Sequence, residues 1–273
     1  MVANTVIVVT GALVRLTGSG LGCPTWPQCA GSSFVTTPEY GIHGVIEFGN
    51  RLLGSLVLIV VMACVAATTL QRSRRRDLVL LSWGLFAGVA AQGVLGGITV
   101  LTHLNPWIVA AHFLVSMALM AVAVALHVRS SEPHGAVWPV GSSARVRWLG
   151  RATLVVAAVV LVLGTVVTGS GPHGGDGSVA RIGFDPATVS QLHANAAMLL
   201  IGLTLTTLVG LRVTGAHRRA QAAAALLVLA ELTQGTVGFL QYFTGLPVVL
   251  VAAHVLGACL VWLAAWYLVF TLR

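Results

Sequence analysis

The sequence predicts an all-α integral membrane protein. Eight transmembrane helices form two pseudo-twofold-related four-helix bundles, with both termini cytoplasmic. Three observations predict this. The chain is 57% hydrophobic and only 8% charged, with a mean hydropathy of +0.93, more apolar surface than a soluble domain can bury. Apolar runs of roughly 20 residues, the length a helix needs to cross hydrocarbon, recur along the whole chain. The run 92–112 (QGVLGGITVLTHLNPWIVAAH) also lies over 234–254 (QGTVGFLQYFTGLPVVLVAAH) without a gap, and TGSG at 17–20 returns at 168–171. A duplicated four-helix unit has an even number of spans, so both copies enter the membrane alike and their pseudo-axis runs along its normal.

In order, the predicted spans are 2–17, 44–70, 78–102, 107–128, 149–170, 187–211, 218–243 and 248–271. The first is short, since only Val2–Val14 precede Arg15, and the natural first helix is expected to begin a turn or two earlier. No basic leader or cleavage motif marks a signal peptide. The net charge of +8 does not point to nucleic acid, because the chain has no Lys and its Arg residues cluster in short loops. Arg72, Arg74, Arg75 and Arg76 follow span two. Arg129, Arg145, Arg147 and Arg151 lie between spans four and five, and Arg212, Arg218 and Arg219 follow span six. The opposite loops carry one clear Arg, Arg181. The positive-inside rule then places both termini in the cytoplasm. Residues 1–128 form one half, 129–148 a cytoplasmic linker rich in Ser, Gly and Pro, and 149–273 the other half. Gly93, Gly96, Gly97, Gly235 and Gly238 read as close helix-packing positions in lipid.

His103, His127, His134, His173 and His217 fall in loops or at helix ends, where solvation accounts for them. His112, His193 and His254 sit five to seven residues inside helices that start from the outer face, about 8–11 Å below the outer loops. Ionisable groups at that depth are expensive and usually functional. His193 and His254 are 61 residues apart, and counting 62 back from His112 reaches Asn50. One half thus offers a His pair across two helices, and the other offers His plus Asn. Two His on facing helices suit the axial positions of a haem. Zinc fits less well, for no thiolate or third His accompanies them.

The stretch IEFGNRLLG (46–54) opens the second span. Glu47 shares a face with Asn50, and Glu47 and Arg51 are spaced as an i, i+4 ion pair. His43 is one turn above Glu47. Two readings stand: Arg51 neutralises Glu47, or Glu47 is a carboxylate aimed into the first-half pocket with Arg51 toward a haem propionate or toward the Glu. In the outer loop GLGCPTWPQCAG, Cys23 and Cys29 share an oxidising compartment and are expected to form a disulfide, with a stapling role preferred to a redox one. Cys64 and Cys259 read as packing residues. Glu231, a lone acid in span seven, reads equally as a neutral hydrogen-bonding group or as part of a proton path.

GALVRLTGSGLGCPTWPQC, EFGNRLL, GGITVL and the His repeat together resemble the heme A synthase family of the CtaA type, in an actinobacterial-like variant. The resemblance implies a cell-membrane oxidoreductase that converts the C8 methyl of heme O to a formyl by successive hydroxylations, with haem sites toward the extracytoplasmic face. It implies a heme b cofactor on His193 and His254, and a substrate haem held by His112 beside the essential carboxylate Glu47. It also implies an extracytoplasmic Cys23–Cys29 disulfide. Beyond heme O and membrane lipid, a heme O synthase, an electron donor and a second copy of the chain are the partners it brings into view. Where many members have His, this chain has Asn50. The substrate haem is therefore expected to be weakly ligated or open on that side, with His43 as the alternative ligand. Two other functions compete. A di-haem electron carrier would want two complete His pairs on opposite membrane sides, and a non-catalytic haem transporter would not need Glu47.

Overall fold

The computed structural model describes residues 1–71, 75–133 and 142–273; Arg72, Arg74, His134 and much of the sequence-defined linker lie outside them. Among the described residues there are eight α-helices: α1 Val2–Leu16, α2 Gly41–Leu70, α3 Arg76–Leu101, α4 Pro106–Ser130, α5 Ala144–Ser170, α6 Pro186–Val213, α7 Arg218–Phe243 and α8 Val248–Thr271. A 3₁₀ turn, Pro38–Tyr40, leads into α2, and the β-structure among the described residues is one isolated bridge between Ala30 and Ser33. Helices α2 to α8 are long and apolar enough to cross a membrane. The first helix has 15 residues, about 22 Å of rise against a hydrocarbon core of ~30 Å. The chain is a multi-pass membrane protein.

Burial follows the logic of a lipid solvent. Large apolar side chains such as Leu52, Leu56, Ile59, Leu80 and Val155 face outward, whereas Ser19, Ser82, Thr153, Thr204, Thr207, Glu47 and Glu231 are buried. In hydrocarbon, polar groups must find partners inside the protein. The Thr68 and Ser82 hydroxyls meet at 2.7 Å between α2 and α3.

One helix-end geometry recurs in the backbone, at the repeat-related α3 and α7 and also at α1 and α6. Helices α1, α3, α6 and α7 end alike, with an N–H reaching back to the carbonyl five residues earlier: Ser19 to Val14, Leu104 to Thr99, Ala216 to Leu211 and Leu246 to Gln241. The residue before each donor has a positive φ: Gly18, His103, Gly215 and Gly245. This left-handed cap satisfies the last carbonyls and reverses the chain. His103 pays the steric cost that Gly245 avoids at the matching turn.

The chain divides into two compact units, Met1–Ala123 with Thr165–Pro186, and Val124–Gly164 with Ala187–Arg273. The C-terminal end of α5 and the loop after it therefore belong to the first unit. There the Gly20 N–H donates to the Gly175 carbonyl at 3.0 Å, Arg15 Nη2 donates to the Thr168 carbonyl at 2.6 Å, and Ile182 is buried against Gly169.

Candidate functional site

In the first unit, the loop after α1 is closed by a Cys23–Cys29 disulfide, and both cysteines are fully buried. Glu47, on the second turn of α2, reaches up into this loop. Its Oε2 accepts the Cys23 N–H at 2.6 Å, and its Oε1 accepts Arg51 Nη2 at 2.7 Å. Arg51 gives its other bonds to loop carbonyls: Nη2 to Cys23 at 2.8 Å and Thr25 at 3.1 Å, Nη1 to Thr25 and Gln28 at 3.1 Å each. The sequence left Arg51 a choice between a propionate and the Glu; the structure directs it at Glu47 and the loop. A buried ion pair repays desolvation only when its remaining lone pairs and protons are also bonded, and here the loop supplies those bonds. Trp26 covers Gly97 of α3, and Gly22 lies against the His43 backbone. His43 itself is exposed, its Nδ1 2.9 Å from Ser19 Oγ.

The deep histidines share one local design. Each lies on the second helix of a consecutive pair and faces a glycine on the first. A Cβ at Gly96 would stand 3.4 Å from His112 Cε1; at Gly164, 3.3 Å from His193 Cε1; at Gly238, 3.1 Å from His254 Cε1. Asn50 repeats the arrangement, its Nδ2 3.9 Å from the corresponding position at Gly11. Two glutamines brace the pairs: Gln92 Nε2 donates to the His112 carbonyl at 2.8 Å, and Gln234 Nε2 to the His254 carbonyl at 2.7 Å. The glycine facings of His112 and His254 and the two glutamines lie inside the aligned repeat, but sequence reasoning read the glycines as packing residues and gave the glutamines no role. Gly11 and Gly164 had no signal beyond their helices.

In the second unit His193 and His254 come together, ring centres 6.3 Å apart. A metal–imidazole bond of ~2 Å on either side of one iron places ring centres roughly 6 Å apart. His193 Nδ1 lies 3.1 Å from the Val160 carbonyl. Donation there assigns that nitrogen its proton and leaves Nε2 free as a ligand. His254 Nδ1 is buried without a partner. The separation, the tautomer and the two glycine clearances fit a bis-imidazole haem. In the first unit, His112 Nδ1 and Asn50 Oδ1 are likewise buried without partners. Among the described residues no three His, Cys, Asp or Glu gather as a metal cluster.

Of the remaining candidates, Glu231 accepts Thr204 Oγ1 at 2.8 Å while its Oε2 is buried and unpartnered. Cys259 is buried and Cys64 partly so, both as free thiols.

The comparisons with known proteins agree on one family. A family model described as cytochrome oxidase assembly protein (COX15-CtaA) matches residues 1–173. A heme A synthase of Geobacillus kaustophilus is 34% identical over 39% of this chain and 33% of its own length, and one of Alkalihalophilus pseudofirmus is 34% identical over 46% and 42%. The match thus spans less than half of these relatives. A heme A synthase of Symbiobacterium thermophilum is 28% identical over 89% of this chain and 87% of its own length. With more than half of its 273 residues matched by the family model, the chain belongs to the COX15-CtaA family of cytochrome oxidase assembly proteins, the heme A synthase family that its motifs resemble.

Proposed function

We propose that the protein is a heme A synthase of the cell membrane, an oxidoreductase that converts the C8 methyl of heme O to a formyl by successive hydroxylations and loss of water from the diol. One observation carries this reading: two copies of one repeat have diverged into a His193–His254 pair in one unit and a buried carboxylate with a single histidine in the other. A carrier would keep both pairs, and a transporter has no use for the carboxylate.

A heme b held between His193 and His254 supplies one-electron transfer when bound. Val160, Gly164 and Gly238 orient the two rings. His112 ligates the iron of heme O, and Asn50 leaves the opposite side open or weakly ligated, an amide being a poor ligand beside imidazole. His43, turned to Ser19, stays out of the pocket. Glu47 provides fixed negative charge in a water-poor site, where it offsets positive charge developing at the methyl carbon. Arg51 and the Cys23 amide hold that carboxylate in place. In this reading both termini are cytoplasmic, residues 1–128 carry the substrate site and 149–273 the cofactor site, and both sites lie toward the extracytoplasmic face.

The test is pigment analysis of cells that make heme O and express either the wild type or Glu47→Gln. Gln still accepts from Cys23 but removes the anion. Wild type should yield heme A. The variant should fall by about 100-fold, the scale of losing one electrostatic stabiliser, with the reduced spectrum of the His193–His254 haem unchanged. Heme O left unconverted by well-folded wild type would refute the reading.

A further inference from the structure

We propose that Arg15 and Arg181 form the subsite for a propionate carboxylate of the substrate porphyrin, at the outer rim of the first unit; this rests on the functional reading above. Arg15 ends α1 and Arg181 lies in the loop after α5. Both stand on the side opposite the arginine-rich loops, where positive charge is otherwise scarce. The fold brings them to one turn: Arg15 Cγ lies 3.5 Å from the Cβ position of Gly175, and the Arg181 guanidinium covers that of Gly174.

The bonds of Arg15 and Arg181 run to carbonyls, Arg15 to Thr168 at 2.6 Å and Arg181 Nη2 to Pro172 at 2.5 Å. Arg15 Nε is buried without a partner. Of the two acids in the same loop, Asp176 and Asp185, Asp176 is turned to Ser178, accepting its N–H at 2.9 Å and its hydroxyl at 2.6 Å. Those bonds hold its carboxyl below the usual range, with a smaller contribution from His43. Two guanidinium groups packed at one turn repel each other, and the arrangement is favourable once an anion joins them. The two residues noted only as the end of a span and a topology exception thus gain a common purpose.

Position identifies the anion. Gly11 and Arg15 are i, i+4 on α1 and share a face, and Gly11 is the residue that Asn50 faces. Arg15 therefore stands about 6 Å outward of the Asn50 level. A haem with its iron at the level of His112 and Asn50 carries carboxylates along one edge, and an edge directed outward meets this turn. Arg51, the other arginine near the pocket, is spent on Glu47 and the loop.

The test is binding of heme O and of its propionate dimethyl ester to the full-length purified protein, compared with Arg15→Gln, Arg181→Gln and the double variant. Thermal melting and the intact disulfide check the fold, and Arg15→Lys serves as the charge-preserving control. The wild type should prefer the free acid by about 10- to 100-fold, as expected for charge-assisted bonds. The double variant should lose that preference while keeping its affinity for the ester, and Arg15→Lys should retain part of it. Equal binding of acid and ester by wild type, or an unchanged preference in the folded double variant, would overturn the subsite. So would variants that lose only co-purifying phosphatidylglycerol, because the anion is then a lipid phosphate. If wild type binds neither porphyrin, the functional reading itself falls and the subsite with it.

Discussion

At the scale of single residues, the glycines of the repeat separate into kinds that look alike in sequence. Gly93 and Gly235 have open space where a Cβ would stand, whereas Gly96 and Gly238 stand 3.4 and 3.1 Å from a histidine ring. We therefore expect Gly235→Ala to leave the visible spectrum of the haem proposed between His193 and His254 unchanged. Gly238→Ala should tilt or displace His254 and lower haem occupancy by about 10-fold, roughly 1.4 kcal/mol. Haem-to-protein ratio and the reduced spectrum measure both. The sequence marks His112, His193, His254 and Glu47 as candidates because an ionisable group deep in an apolar run is expensive in lipid, and the structure buries Glu47 and the Nδ1 atoms of His112 and His254. The glycines facing the histidines carry no such mark. Hydropathy and small-residue patterns record that a helix is approached closely, not which neighbouring side chain approaches it. Arg51 shows the same limit: its spacing from Glu47 is local and readable, but its bonds to Cys23, Thr25 and Gln28 depend on how a distant loop folds back.

Among the elements, the loop closed by Cys23–Cys29 has the clearest consequence. It presents the Cys23 N–H to Glu47 and three carbonyls to Arg51, so the disulfide holds the carboxylate's frame rather than only the loop's ends. Both sulfurs are buried, which favours a staple over a cycling redox pair. A Cys23→Ser/Cys29→Ser variant should lose about 2 kcal/mol of stability. Its heme A formation should fall at least about 10-fold while the His193–His254 haem persists. Full activity in this variant would show that Glu47 is held without the loop. The helices themselves were mostly readable, with informative exceptions. Helix α2 begins at Gly41 rather than 44, carried back by the 3₁₀ turn at Pro38–Tyr40, and α5 begins at Ala144 rather than 149. Arg145, Arg147 and Arg151 continue α5 beyond its apolar run, and hydropathy marks the hydrocarbon slab, not the end of hydrogen bonding. Eight spans were expected, and among the described residues seven helices have the length and composition for crossing, with α1 shorter.

For the molecule as a whole, duplication was plain in the aligned segments, but the allocation of residues 165–186 to the first compact unit was not. Nothing in an outer loop's composition says which bundle it will cover. This allocation has a consequence for how such a protein could arise and be taken apart. Covalent order and structural order disagree, as in a swapped dimer whose chains were later joined. The first repeat made alone would lack Gly175 to receive the Gly20 N–H, Thr168 to receive Arg15, and Gly169 beside Pro106. Expressed separately, residues 1–133 should be proteolysed in the membrane. Co-expressed with 142–273 they should accumulate, an outcome that immunoblotting of the two fragments would read. An ancestor with one repeat per chain would have exchanged this same segment between identical partners. A fused chain can carry Asn50 in one copy where the other carries His193, a difference that identical subunits could not encode.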